Sequence, residues 1–317
     1  MIDSAQHELL AKVASMYYEG EMTQNEIAAA LGLSRVKIYR LLKQARDTQI
    51  VRILIDWHIK RSPAVEGQLI ERFGLDEALV LGSGATDSAL LLRQTAQLTA
   101  RYLEGVLVDA SSLSICFGSS TYEVINAIRM DFQANVKVMQ ATGSLSHALK
   151  EFDSSALTRQ LAQKLGGEAL YLSCPLLADD ARAAAIIRQQ AVVARTLEQV
   201  RRADIALVGI GDLHPQTSGF VRAGVAESEQ IREYREAGAI GDIAWQIFDG
   251  AGRLFPCELN QRIIGVTLDE LRALPQTIAV AAGINKAAAI VGALQSGIIN
   301  VLCTDEDTAE RVLRMNL

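Results

Sequence analysis

The residues best suited to chemistry sit in short turns rich in glycine and hydroxyl groups. Gly118-Ser119-Ser120-Thr121 lies between the apolar run LSICF and the segment YEVINAI. A glycine and three hydroxyl residues at a helix start offer free amides, hydroxyls and the positive end of a dipole, which together make a phosphate cradle. The same residues also suit a simple capped turn. They are not the dinucleotide fingerprint, because only one glycine is present, and they lack the lysine of a P-loop. A second turn, Ala141-Thr142-Gly143-Ser144, follows VKVMQ, with Ser146 and His147 behind it. A third, Gly209-Ile210-Gly211-Asp212, follows IALV, and its glycines let backbone approach a ligand closely. A fourth, Ala282-Gly283-Ile284-Asn285-Lys286, follows IAVA. Lys286 opens a helix, where a cation opposes the macrodipole unless an anion is near; a solvated lysine is the alternative. Asp242 precedes the apolar run IAWQIF. It can accept hydrogen bonds from sugar hydroxyls, or cap a helix beginning at Ile243. His147 and His214 read as solvated loop residues rather than catalytic ones. A phosphate loop, a lysine and a carboxylate describe a pocket for a small phosphorylated polyol.

These turns need strands and helices to hold them. Strands are expected at 78–81, 113–117, 136–140, 169–172, 205–210, 253–254, 278–281 and 301–303. Helices are expected between most of them, over 88–103, 122–129, 154–165, 183–197 and 286–295. Short, nearly continuous apolar strands alternating with helices predict a mostly parallel, doubly wound α/β sheet. Such sheets take ligands beyond the carboxyl ends of their strands, where these turns lie.

The amino-terminal part has a different pattern. Leu9, Leu10, Val13, Met16 and Tyr17 recur at helical spacing. Thr23 and Glu26 form a capping box, Ile27 and Leu31 share an apolar face, Gly32 can end that helix, and Ser34 can cap the next. The second helix directs Val36, Ile38, Leu41 and Leu42 inward and leaves a basic outer face. This is a helix-turn-helix whose second helix can enter a DNA major groove. A basic outer face is also common on small helical hairpins, but charge distribution favours the DNA reading. The chain carries a formal charge of −6, yet Ser34 to Arg61 holds eight Lys/Arg against Asp47 and Asp56. A local basic field on an acidic protein is what phosphate attraction requires. Arg35, Lys37, Tyr39 and Arg40 are the expected base and phosphate contacts, with Gln24 and Lys43 on the backbone. Alternation in IVRILIDW, Ile50 to Trp57, predicts a strand, which beside a helix-turn-helix suggests a wing. Ser62-Pro63 reads as the hinge, dividing a head at 1–61 from a body at 62–317.

With 317 residues, half of them hydrophobic, the chain suits a small head and a larger body with a sizeable core. Cys116, Cys174, Cys257 and Cys303 are scattered without CxxC pairs, so free thiols are expected, with no metal and no cofactor. The start MIDSAQHELL lacks the features of a signal peptide. The richest apolar stretch, Ile278 to Leu294, contains Asn285 and Lys286 and is no comfortable membrane span. A cytoplasmic protein is expected.

The sequence resembles the SorC-type sugar-responsive bacterial transcriptional regulators over essentially its full length. In the head the likeness rests on YYEGEMTQNEIAAALGLSRVKIYRLLKQA. In the body it rests on ERFGLDEALVL, ICFGSST, IALVGIGDL, GAIGDIAWQIFD and VAAGINKAAAIVGALQSGIINVLCTDEDTAERVL. The resemblance implies a Rossmann-like effector domain related in fold to sugar-phosphate isomerases and deaminases, sensing a phosphorylated sugar without turnover. It also implies a tetramer acting on operator DNA. Carried over by motif, Gly118, Ser119, Ser120 and Thr121 match the phosphate turn, and Asp242 the acidic ligand contact. Gly283 and Lys286 match the glycine and lysine that close the site, and Thr142 and Gly143 a loop carrying a second glycine. This sequence departs from the family pattern at Ser144 and in the 282–285 block, which reads Ala-Gly-Ile-Asn where a more glycine-rich or acidic form is common. The competing class is an isomerase or deaminase with a DNA-binding head. That chemistry needs a paired acid and base, and nothing in the spacing pairs Asp242 with His147. A third class is a module regulated by a partner protein, its pocket vestigial.

Overall fold

The computed structural model describes residues 4–48, 50, 51, 53, 55–82, 87–145 and 153–315. The chain divides into two compact units, Met1–Asp56 and Trp57–Leu317.

The smaller unit consists of α1 (Ser4–Tyr18), α2 (Gln24–Leu31) and α3 (Arg35–Asp47). The Thr23 hydroxyl accepts from the Glu26 amide, and the Glu26 carboxylate accepts from the Thr23 amide at 2.8 Å, completing the capping box. Gly32 ends α2 at φ 65°, and Ser34 caps α3 by accepting from the Lys37 amide. Leu10 and Val13 of α1 pack with Ile27 of α2 and with Ile38, Leu41, Leu42 and Ala45 of α3. That i, i+3, i+4, i+7 spacing fixes which face of α3 is buried. It also corrects one expectation: Val36 points outward and is 60% exposed. Two residues from Ile38 is roughly 200° around a helix, so both cannot face one core. The expected strand after α3 is likewise absent among the described residues of 50–57. A strand needs a hydrogen-bonded neighbour. Here the Val51 amide bonds instead to the Ala45 carbonyl, and Ile50 and Val51 lean on the three-helix core.

In the larger unit the strands are β1 (Glu77–Leu81), β2 (Ser112–Ile115), β3 (Lys137–Gln140), β4 (Ala169–Leu170), β5 (Ile205–Asp212), β6 (Ala239–Ile243), β7 (Gln246–Asp249), β8 (Gln276–Val280) and β9 (Val301–Asp305). The spatial order β1-β9-β8-β5-β2-β3-β4 is joined throughout by parallel pairs. Both faces are buried. Leu79, Leu113, Leu207 and Ile278 face one cluster, while Ala78, Ala206, Val208 and Ala279 face the other. Each strand therefore reads as continuous apolar sequence, because its period of two alternates between two buried faces.

From β2 the chain winds through β3 to β4 on one side, while β5, β8 and β9 build the other. The order reverses between β2 and β5, and a crevice opens beyond their carboxyl ends, where ligands of doubly wound sheets sit. The end of β5 outruns its parallel neighbours and pairs antiparallel with β6, matching Gly211 with Asp242. Asp242 is thus on a strand of the β6–β7 hairpin, not at the cap of a helix beginning at Ile243. Two smaller expectations also change. The single helix over 183–197 is two, Ala181–Gln189 and Ala191–Val200, because Gln190 is extended at ψ 132°. At 253–254 only an isolated bridge forms, Leu254 with Phe248.

The helix after β2, Ser119–Ala127, aims its amino terminus at the crevice, and no side chain caps that end. Its opposite end is held by Lys164, whose ammonium donates to the carbonyls of Ile125 (2.8 Å), Asn126 (2.9 Å) and Ile128 (3.0 Å). A cation there satisfies orphan carbonyls and complements the dipole. Lys164→Met should lower unfolding free energy by about 2 kcal/mol, since it leaves buried acceptors unpaired. Urea unfolding followed by the fluorescence of Trp57 and Trp245, both in this unit, measures it.

Candidate functional site

The crevice encloses about 600 Å³, its open mouth included. One wall is the turn after β2, from Cys116 to Ser120. The floor is the end of β5, from Gly209 to Asp212, with Asp242 beside it. The third side brings in Trp245, the segment Thr217 to Arg222, and Lys286.

Each polar group is placed by a distinct local device. Gly118 to Ser120 carry the chain from β2 into the uncapped helix, so backbone amides and the Ser119 hydroxyl face the opening. The Ser119 hydroxyl accepts from the Arg222 guanidinium at 2.8 Å. Lys286 ends a 3-10 turn, Ile284–Lys286, that precedes the helix Ala287–Gln295. Its ammonium reaches back to donate to the Ile210 carbonyl at 2.7 Å and lies 3.9 Å from the Asp212 carboxylate. Asp212 is fixed at both oxygens, by the His214 amide and by the Asn285 side-chain amide, each at 3.0 Å. A side chain at Gly211 would displace the carboxylate of Asp242, because a Cβ there would collide with it.

The crevice shifts its own titrations. Burial pushes the Asp242 carboxyl from 3.8 up to about 7; Lys286 opposes the shift, Asp212 adds to it, and the Trp245 backbone amide favours the charged form. Burial also lowers Lys286, against the pull of the two aspartates. Arg222 meets the helix amino terminus at Ser119 and makes a cationic side, while Lys286 lies beside the carboxylates of Asp212 and Asp242. That arrangement can hold an anionic group at one end of a small ligand and hydroxyls at the other.

Of the residues singled out in the sequence, Gly118, Ser119, Ser120, the turn from Gly209 to Asp212, Asp242 and Lys286 meet in this crevice. Several others do not line it. Thr121 is fully buried, its hydroxyl donating to the Gly118 carbonyl. Thr142 is also fully buried, bridged to Gly265, and Gly143 lies so close to the Pro175 carbonyl that no Cβ fits. The turn after β3 is therefore used for packing, away from the opening. Gly283 serves the turn before Lys286: its φ is 103°, and its amide donates to the Asp305 carboxylate at 2.7 Å. Ser146 and His147 lie outside the described residues. Arg222 and Trp245 were missed. Neither follows a parallel strand, and Arg222 meets Ser119 across 103 residues of sequence. In the smaller unit, Ser34, Arg35, Lys37, Tyr39, Arg40 and Lys43 are exposed and Gln24 is half-buried.

The raised Asp242 carboxyl gives a signed pH effect. Between about pH 4 and 7 the folded chain holds a proton that the unfolded chain releases, so stability falls as pH rises through that window. Asp242→Asn removes this titration. Its melting temperature should therefore fall less than that of the unsubstituted protein between pH 5 and pH 8, and parallel declines in thermal unfolding would refute the assignment.

Residues 58–314 match the sugar-binding domain family. The chain is 33% identical over 318 residues to the transcriptional regulator LsrR of Enterobacter sp. (strain 638), covering 98% of this chain and 94% of that protein. It is 28% identical over 312 residues to the deoxyribonucleoside regulator of Bacillus subtilis (strain 168), covering 98% and 99%. The crystal structure of the full-length sorbitol operon regulator SorC from Klebsiella pneumoniae is similar with a TM-score of 0.72 at 28% identity, over 98% of this chain and 100% of that one. These relatives bear the names of regulators, not enzymes. A domain match across the larger unit, together with likeness along nearly the whole chain, places this protein in the SorC family of sugar-binding transcriptional regulators.

Proposed function

We propose that the protein regulates a carbohydrate-utilisation operon from the cytoplasm, and that a phosphorylated sugar in the β2–β5 crevice sets its hold on operator DNA. The observation that carries this reading is the convergence of an uncapped helix amino terminus with Arg222, Lys286, Asp212 and Asp242 in one crevice. Phosphate belongs at the cationic end and sugar hydroxyls at the carboxylates. Gly118, Ser119 and Ser120 cradle the phosphate, with Lys286 closing the site. Thr121 and Gly283 shape those turns, while Thr142 and Gly143 are taken up by packing against Gly265 and Pro175.

The head, taken as residues 1–61, is a helix-turn-helix whose helix α3 enters the major groove. Arg35, Lys37, Tyr39 and Arg40 contact bases and phosphates, Ser34 holds the helix start, and Gln24 and Lys43 grip the backbone. Outward-facing Val36 supplies an apolar contact for a thymine methyl. A single head buries little surface, so a homo-oligomer, a tetramer, presents paired recognition helices to a two-fold related operator. Residues 62–317 bind the effector and make the oligomer. The ligand acts by its differential affinity for two arrangements of that oligomer.

Fluorescence anisotropy with duplexes selected by the full-length protein, with and without sugar phosphates, tests the reading. Lys286→Ala should reduce the effector response at least tenfold and leave ligand-free DNA affinity intact; a normal response would remove Lys286 from the site. Arg40→Ala should weaken DNA binding and, as a phosphate contact, lower the slope of log affinity against log salt by about one. Unchanged affinity at physiological salt would reject the assignment of Arg40.

A further inference from the structure

The β6–β7 hairpin is closed by Ala244 and Trp245, both with left-handed backbone, at φ 54° and 66°. Two successive positive φ values suit glycine and asparagine, whereas a Cβ is disfavoured there. A bulky side chain at the second position is therefore held against local preference, and such outliers cluster at ligand sites. The backbone and side chain of Trp245 do separate things. Its amide donates to the Asp242 carboxylate. Its indole, 4% exposed, forms part of the crevice wall.

That wall is rigid. The indole packs against Phe117 at 5.2 Å between ring centroids and edge-on against Phe220 at 5.2 Å. Its outer carbon, Cη2, would lie 3.9 Å from a Cβ built on Gly219, so the ring spans from the hairpin to the short helix Gly219–Arg222 that carries Arg222. An indole packed against two other rings and nearly fully buried has little void to retreat into. A ligand held by its anion at Ser119 and Arg222 and by its hydroxyls at Asp242 shares the crevice with this residue, since all four line it.

Resting on the phosphosugar reading above, we infer that Trp245 sets the size of the ligand: the indole fills the space that a sixth carbon and its hydroxyl would need. The crevice then takes phosphorylated polyols of three to five carbons in preference to hexose phosphates. Shape alone discriminates by about 10–200-fold for one carbon in a rigid pocket. Glycine at this position would keep the amide that serves Asp242, relax the turn and open the wall.

Calorimetric titration of the full-length protein with glyceraldehyde 3-phosphate, ribose 5-phosphate and glucose 6-phosphate tests this. The unsubstituted protein should bind ribose 5-phosphate at least tenfold more tightly than glucose 6-phosphate. Trp245→Gly should shift that ratio at least tenfold toward glucose 6-phosphate, while Trp245→Phe keeps the original order. Circular dichroism and thermal melting first establish that each variant folds. If the glycine variant does not fold, Trp245→Leu carries the comparison, with a smaller shift in the same direction. An unchanged ratio in a folded variant, or an unsubstituted protein that prefers glucose 6-phosphate, overturns the inference. Failure of the phosphosugar reading is separately visible. Binding of free ribose or glucose with no affinity for the phosphates would overturn the anion site, and the ribose-to-glucose ratio would then judge Trp245. Binding of neither class by any variant would overturn both.

Discussion

Asp242 and Gly211 stand opposite one another on antiparallel strands, and the space between them leaves no room for a side chain. Much of the larger unit depends on that contact. It fixes the carboxylate at the floor of the crevice, within reach of Lys286 and Asp212. Ionised groups removed from water are unfavourable unless paired and hydrogen-bonded. Here the pairing is shared: Lys286 leans on the Ile210 carbonyl and on Asp212, and Asp212 is held by Asn285 and by the His214 amide. Burial is what pushes Asp242 up to about 7, with the Asp212 charge adding to it, and what lowers Lys286, while the ammonium and the carboxylates each favour the other's charged form. A ligand that brings an anion to the cations and hydroxyls to the carboxylates relieves the imbalance from both ends.

The helix Ser119–Ala127 gives the site its polarity in a complementary way. Its inner end is satisfied by cations, Lys164 on three carbonyls and Arg101 on the Ala127 carbonyl. Glu104, itself buried, accepts from the Arg129 amide and guanidinium just beyond. Its outer end has no side-chain cap. Orphan amides of a helix must find partners somewhere, and the residues at this helix start line the crevice. The anion end proposed for the site thus has one helix terminus without a side-chain cap and the other completed.

The smaller unit is stabilised by different means. Among the described residues, nine small-to-medium apolar side chains make its buried core, so local devices matter: the Thr23–Glu26 box, the left-handed Gly32 and the Ser34 cap. They set the angle and register at which α3 follows α2. The same register puts Ile38, Leu41, Leu42 and Ala45 inside and the basic residues outside. A helix with so regular a buried face has no freedom in what it exposes.

What lay within a few residues of itself was legible in the chain. The capping box, the helix ends, the apolar strands and the glycine-hydroxyl turn after β2 all follow from period, propensity and turn chemistry, which act over short spans. Gly118, Ser119, Ser120, Asp242 and Lys286 stood out for the same reason. What failed depended on partners far along the chain. The run IAWQIF reads equally as helix or strand, and it became a hairpin only because β5 outran its neighbours and offered an edge. Thr142 and Gly143 look like ligand turns but are taken up by contacts with Gly265 and Pro175. Arg222 and Trp245 carry no local signal at all. Sequence alone thus fixed the kinds of group available, while the long-range pairing of strands decided which of them face one another, because electrostatic and steric complementarity act through space and not along the chain.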